Sequence, residues 1–189
     1  MGVNSDFFLK RRSVIARKMS SKSINRKDLN LIISAGTRVP DHGALNPWKL
    51  IVMQGDTLKA VDKDIILSEF IKENPNMDKK FQNIQSKKLQ RAGAVIAVLS
   101  KPLDHPSIPE WEMHLSSGAV CMNLLSCAQS MGYAAQWLTE WYAYNDKMLE
   151  YLGGIKNKDK IAGFIYISHK TEEPSERKRP DPYDVVTFL

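Results

Sequence analysis

Two arginines and a hydroxyl stand together at Arg11-Arg12-Ser13, and a second cationic group, Arg177-Lys178-Arg179, lies near the other end of the chain. A guanidinium stays charged at any working pH and donates paired hydrogen bonds, so such groups suit a phosphate monoester. Taken alone, each is equally well explained as solvated surface. A third polar concentration runs from Arg38 through Pro40-Asp41-His42 to Asn46-Pro47-Trp48. Its prolines and glycine make a rigid loop that presents Arg38, Asp41, His42 and Asn46 just before an apolar stretch. The loop reads either as part of a binding site or as a turn in which Asp41 and Asn46 satisfy backbone groups.

Other chemistries find little support. The chain contains no G-x-G-x-x-G, no G-x-x-x-x-G-K-[ST] and no G-x-S-x-G, which removes the two glycine-rich phosphate loops and the nucleophile elbow. Glu110 and His114 stand one helical turn apart and could offer two metal ligands, yet no third is fixed by spacing. The plainer reading is a helix start with Glu110 at the positive dipole end. Ser116-Ser117-Gly118-Ala119 reads as close packing inside an apolar helix rather than as a nucleophile.

The elements that must position these groups follow from periodicity. Asn25 caps a helix with Asp28 in its first turn and Leu29, Ile32 and Ile33 on one face, ending near Gly36. Trp48–Met53 reads as a strand that stops at the turn signal Gly55-Asp56, followed by a helix from Thr57 to about Lys72. The charged stretch from Glu73 to Gln90 is predicted as a helical, partly mobile surface excursion. Ala94–Leu99 and Ile161–Ile167 lack alternation and read as strands buried on both faces. Glu110–Met131 is the longest helix, Gly132–Leu138 a further strand, and Asp146–Leu152 a helix stopped by Gly153-Gly154. This order predicts an α+β fold.

Composition sets the frame. With 189 residues, 43% hydrophobic and 25% charged, the chain is expected to form one globular domain over residues 1–189. A net charge of +6 favours an anionic partner without naming one. Two cysteines, Cys121 and Cys127, form neither a disulfide framework nor a zinc spacing, and the longest apolar run, Ala92–Leu99, is far too short to cross a bilayer. With no targeting pattern in the opening residues, the expectation is a cytoplasmic protein with no membrane partner. The basic groups are not interleaved with aromatic residues, so nucleic acid is not an expected partner, and a basic polyanion-binding module remains the weaker alternative.

Arg11-Arg12-Ser13, Arg38-x-Pro-Asp-His42, Asn46-Pro-Trp48 with its strand, and the late Gly163-Phe-Ile-Tyr-Ile-Ser168, in this order from about Phe7 onward, resemble the nitroreductase family, most closely its minimal members. The resemblance implies a mostly antiparallel sheet flanked by helices in an intertwined homodimer with FMN at the subunit interface. It implies an oxidoreductase that passes hydride from NAD(P)H through the flavin to a nitroaromatic, a quinone or a similar electron-poor small molecule. A specialised acceptor, as in reductive dehalogenation, is the alternative within the family. On the same basis Arg11, Arg12 and Ser13 are expected on the FMN phosphate and ribityl chain, and Arg38 and His42 to reach the flavin from the partner subunit. Gln136, Trp137, Leu138 and Thr139 are expected to cover one face of the ring and its reactive edge, and Arg177 and Arg179 to join the phosphate. One departure is Ile15, where many relatives carry a cation toward the flavin pyrimidine. The hydride chemistry would belong to the cofactor, so no nucleophile or catalytic acid need be visible.

Overall fold

The computed structural model describes residues 5–189; Met1 to Asn4, part of the opening read for targeting signals, lie outside it. Helix α1 (Ser5–Lys10) precedes an extended stretch and α2 (Arg26–Gly36), where Asn25 caps as its type predicts, accepting from the Asp28 N–H at 2.8 Å. Strand β1 (Trp48–Gln54) leads through Gly55 into α3 (Asp56–Val61), which runs through a π turn (Asp62–Leu67) into α4 (Ser68–Glu73). Then follow α5 (Lys79–Gln85), β2 (Ala94–Ser100), α6 (Glu110–Ser130), β3 (Ala134–Leu138), α7 (Asp146–Tyr151), β4 (Lys160–Ser168) and α8 (Pro182–Val185).

The four strands form one antiparallel sheet in the order β1-β2-β4-β3. Both central strands are covered on two sides. On one face Val95, Ala97, Leu99, Phe164 and Tyr166 meet Val61, Ile66, Tyr142 and Met148. On the other, Ala94, Ile96, Val98, Ile165 and Ile167 meet Leu29, Ile32, Val120 and Leu124 from α2 and α6. Two buried faces are why β2 and β4 read as continuous apolar runs. The helix pair α2 and α6 touches where a Cβ on Gly36 would overlap Leu124, so the glycine sets the depth of that contact.

The structure adds interior contacts to two of the expected segments. The segment from Glu73 to Gln90 is helical over α5 and mostly exposed, as expected, yet it is anchored to the domain, because Gln85 and Leu89 are buried and Trp141 Nε1 donates to Gln85 Oε1 at 3.1 Å. Its anchor is the fully buried Asp62 at the start of the π turn, whose carboxylate accepts from the backbone N–H of Leu89 at 2.8 Å and of Gln90 at 3.1 Å. Burial pushes the Asp62 carboxyl above its ordinary value against those hydrogen bonds. A polar sequence therefore hides a polar interior contact. Ser116 and Ser117 face inward, Ser116 donating to the Pro40 carbonyl at 2.9 Å and Ser117 reaching Ser100 Oγ at the same distance, which is the close packing their size suggested.

Candidate functional site

The chain ends meet on the outer edge of β3. Val14 N–H donates to the Ala135 carbonyl at 3.2 Å, and Gln129, in the last turn of α6, donates to Arg12 O at 2.7 Å and Ala135 O at 3.2 Å. These bonds fix the Arg11-Arg12-Ser13 segment against the sheet. Arg12 Nε donates to Ser175 O at 3.1 Å and pairs with Glu176 at 3.5 Å; Arg179 pairs with the same carboxylate at 3.5 Å. Arg11 is pushed below its ordinary guanidinium value, first by burial and then by the charges of Arg179 and Arg12. Arg12 and Arg179 thus flank one exposed carboxylate, beside a cleft of about 580 Å³ bordered by the cations Lys10, Arg11, Arg12 and Lys170 and the carboxylates Asp6, Glu173 and Glu176. Among the described residues the Ser13 hydroxyl has no hydrogen-bond partner. Arg177 is exposed and only its backbone N–H is engaged, with Glu176 at 2.6 Å.

Further along β3 the side chains alternate. Gln136 faces inward and accepts from Ala16 N–H at 2.6 Å, while Leu138 packs into the core beside Tyr142. Trp137 points the other way, is 39% exposed, and donates through Nε1 to Ala162 O at 3.1 Å. The two apolar residues read as ring cover lie on opposite faces, as neighbours in a strand must, and Trp137 is the more exposed of them. Thr139 is exposed, and Glu140 after it holds φ at 56°, a left-handed value that non-glycine residues rarely adopt. Its carboxylate accepts from Lys88 Nζ at 2.7 Å and Arg91 Nη2 at 3.0 Å, which locks the turn that ends β3.

The Arg38–Trp48 loop lies elsewhere. Asp41 accepts from Asn46 N–H at 2.7 Å and Asn46 donates to Ala44 O at 3.0 Å, so these two residues build the turn. His42 Nδ1 lies 2.7 Å from Glu112 Oε2, and Asn123 donates to Arg38 O at 2.8 Å, leaving both side chains exposed. Glu112 and Gln129 are seventeen residues apart on α6, about 26 Å at 1.5 Å per residue. Within one chain, His42 and Arg11 therefore serve opposite ends of that helix.

A second cleft, of about 300 Å³, opens on the face of β3 where Trp137 stands, bordered also by Ser100, Trp111, His114, Gly118 and Lys160. His114 bridges Ser100 Oγ, 2.8 Å from Nδ1, and Glu110 Oε1, 2.9 Å from Nε2. The i, i+4 spacing marked Glu110 and His114, but nothing in the sequence brings Ser100, at the end of β2, to them. Gln129, Lys170 and Glu176 were likewise passed over, because long-range hydrogen bonds leave no local pattern. Among the described residues no group of three or more His, Cys, Asp or Glu could hold a metal ion, and no helix is long and apolar enough to cross a membrane.

A three-layer α+β domain of this kind is a fold that recurs in solved structures. The chain matches the Nitroreductase family over residues 9–169 and belongs to it. It is 25% identical to Escherichia coli YdjA, by name a candidate NAD(P)H nitroreductase, over 97% of this chain and 98% of that one. A nitroreductase-like protein from Bacillus cereus superposes with a TM-score of 0.81 at 21% identity, covering 100% of this chain and 98% of that one. A Bacteroides fragilis nitroreductase with bound FMN superposes at 0.70 and 20% identity, covering 99% and 100%.

Proposed function

We propose that this chain is an FMN-dependent oxidoreductase that takes hydride from NAD(P)H and passes it to a nitroaromatic, quinone or similarly electron-poor small molecule. The observation that carries the reading is the gathering of Lys10, Arg11, Arg12 and Lys170 on one cleft whose carboxylates Asp6, Glu173 and Glu176 pair with Lys10, Lys170 and Arg12, leaving Arg11 without an acidic partner among the described residues, while Arg179 donates to the Arg11 carbonyl beside it. Such a surplus of positive charge suits a dianionic phosphate, and the free Ser13 hydroxyl adds a donor. The names of the relatives, which mention NAD(P)H and bound FMN, support the same assignment.

In this reading Arg11, Arg12, Ser13 and Arg179 would hold the phosphate, with Arg177 at its rim. Trp137 stands four residues along β3 from Tyr133, which borders the arginine cleft, so about 13 Å of strand edge separates an anion end from a flat apolar wall. A ligand with an anionic tail and a planar ring would lie along that edge. FMN, when bound, supplies the hydride chemistry. The chain's own work is to neutralise the phosphate, to wall the ring with Trp137, and to fix the backbone of Gln136–Thr139 through the Ala16 and Glu140 contacts.

The partner is a second copy. His42 could approach the same ligand only from another chain, given its separation from Arg11 along α6, and Arg38, on the same loop, would come with it. The apolar residues Trp111 and Leu115 on α6 are 67% and 54% exposed, a surface that association would cover. The test is a visible spectrum of the purified protein with a solution molecular weight. A yellow dimer that bleaches on adding NADH or NADPH fits the reading; colourless protein that cannot be reconstituted with FMN overturns it, and a flavin-loaded monomer removes the shared site.

A further inference from the structure

Strand β3 stops at Leu138, opposite Phe164, so residues 160–163 at the start of β4 have no strand beside them on that edge. Two clefts open onto this bare stretch and share Lys160 and Ile161. One is the cleft where Trp137 walls the flavin ring. The other, of about 420 Å³, lies toward α7 and is bordered also by Ala143, Tyr144, Leu149 and Asn157. Neither the phosphate nor the ring of the flavin occupies this second cleft in the reading above.

Its lining divides by chemistry. Ala143, Leu149 and Ile161 are nearly buried and supply apolar surface, while Tyr144 is 78% exposed and supplies an aromatic ring open to solvent. Three lysines alternate in the approach to β4, at 156, 158 and 160. Lys156 pairs with Asp146 at 2.6 Å and Lys158 with Asp104 at 3.7 Å, whereas Lys160 has no carboxylate partner among the described residues. Its neighbour Asp159 is buried and taken up by Lys101 and the Ile155 N–H. An uncompensated cation between two clefts with apolar and aromatic linings suits an anion that joins two ring systems.

The hydride donor is such a molecule. Its nicotinamide must meet the flavin ring beside Trp137, and its other half, adenosine joined through a diphosphate, has to extend away along the surface. Toward Tyr133 the edge of β3 leads to the arginine cleft, which the flavin phosphate takes. In the other direction the bare start of β4 leads past Lys160 to Tyr144. We propose that the Tyr144 cleft is the adenosine subsite of the reductant, with Lys160 on the diphosphate and the adenine stacked on Tyr144 beside Leu149 and Ile161. The proposal rests on the oxidoreductase reading above. Neither Lys160 nor Tyr144 meets the reacting atoms, so both act on the affinity for the reductant and not on the hydride step.

The test compares two reductants on the flavin-loaded enzyme: NADH or NADPH, and 1-benzyl-1,4-dihydronicotinamide, which carries the same hydride-donating ring and no adenosine diphosphate. Lys160→Ala and Tyr144→Ala should each raise KM for the full reductant about tenfold, the loss expected for one charge-assisted contact or one stacked base, with no rise in KM for the truncated one. Lys160→Arg keeps the charge and should keep KM close to that of wild type. A second readout needs no turnover: ADP-ribose should bind the purified protein in a calorimetric titration, and both alanine variants should weaken that binding about tenfold. An equal rise in KM with both reductants would show that these residues shape the flavin cleft instead and would overturn the proposal, as would an unchanged KM for the full reductant or the absence of ADP-ribose binding. A wild-type protein that binds no flavin overturns the oxidoreductase reading, and the ADP-ribose titration then decides the subsite by itself.

Discussion

Arg179 donates through Nη2 to the backbone carbonyl of Arg11, 168 residues earlier, at 3.5 Å, and after burial its charge is the next cause that pushes Arg11 below its ordinary value. The contact brings the two ends of the chain to one edge of the sheet. Like charges at close range repel, so the cluster is stable only because Glu176 offsets part of it and solvent or an anion offsets the rest. A fold that gathers cations in this way is preorganised for a negatively charged ligand.

The first expectation concerns that ligand's phosphate. Arg11→Ala should weaken FMN binding by about ten- to a hundredfold, the range expected for losing a charge-assisted hydrogen bond of about 1.5 to 3 kcal/mol. Riboflavin lacks the phosphate, so its affinity should not change. Titration of cofactor-free protein with the two flavins, followed by flavin fluorescence, checks both statements. Equal effects on the two ligands would place Arg11 away from the phosphate.

A second expectation follows from the seat of Trp137. A Cβ on Gly163 would overlap the Trp137 indole at Nε1 and Cδ1, so the ring lies against β4 only because position 163 carries no side chain. Gly163→Ala should push the indole out and break its bond to Ala162 O, costing about 1 to 3 kcal/mol. Combined with Trp137→Ala, the alanine at 163 should cost less, because the indole overlap has gone and only the Leu138 carbonyl, 3.2 Å from the added Cβ, stays close. Chemical denaturation of the two single variants and the double variant measures that coupling; additive losses would show that the overlap is relieved elsewhere.

What could be read from the sequence was what is local. The Asn25 cap, the continuous apolar runs of Ala94–Leu99 and Ile161–Ile167, and the glycines after Leu152 each declare an element through neighbours a few residues away. Arg11-Arg12-Ser13 was visible as residue types, but its meeting with Arg179 depends on how β3 lies at the sheet edge. Asp62 shows the other limit: a carboxylate in a polar stretch looks solvated, and only the pairing with Leu89 and Gln90, 27 and 28 residues later, makes it an interior anchor. Trp137 and Leu138 were grouped as one apolar patch, whereas strand alternation sends them to opposite faces. The Ser100 link to His114 joins a strand end to a helix and has no sequence signature at all.

The cysteines give a third expectation. Burial pushes the Cys121 thiol up to about 12 and raises Cys127 as well. A raised thiol has less thiolate at any given pH, and thiolate is the reactive form. In the native protein at about pH 8, Cys121 should therefore resist a disulfide reagent, while both thiols react at once in denaturant. The rate of native labelling then reports opening of α6. Fast stoichiometric reaction of both cysteines without denaturant would contradict the burial.

The last expectation is a pH dependence at the turn after β3. Burial pushes the Glu140 carboxyl up, but hydrogen bonds and charges from Lys88 and Arg91 outweigh it and hold the group below its ordinary 4.5. A depressed carboxylate stabilises the folded state above its ordinary value, and that contribution is lost as pH falls through the folded value. Glu140→Gln should thus be less stable than wild type near neutral pH by about 1 to 2 kcal/mol, with the gap closing between about pH 5 and about pH 3. Other carboxylates titrate in both proteins and cancel in the difference, including Asp62, whose raised value works in the opposite direction. Glu140→Gly separates the backbone from the charge. It loses the same ion pairs but relieves the left-handed φ of 56°, and should be more stable than Glu140→Ala by about 1 kcal/mol. Urea denaturation across the pH series measures all three variants, and a gap that stays constant down to the lowest pH would remove Lys88 and Arg91 as the source of the stabilisation.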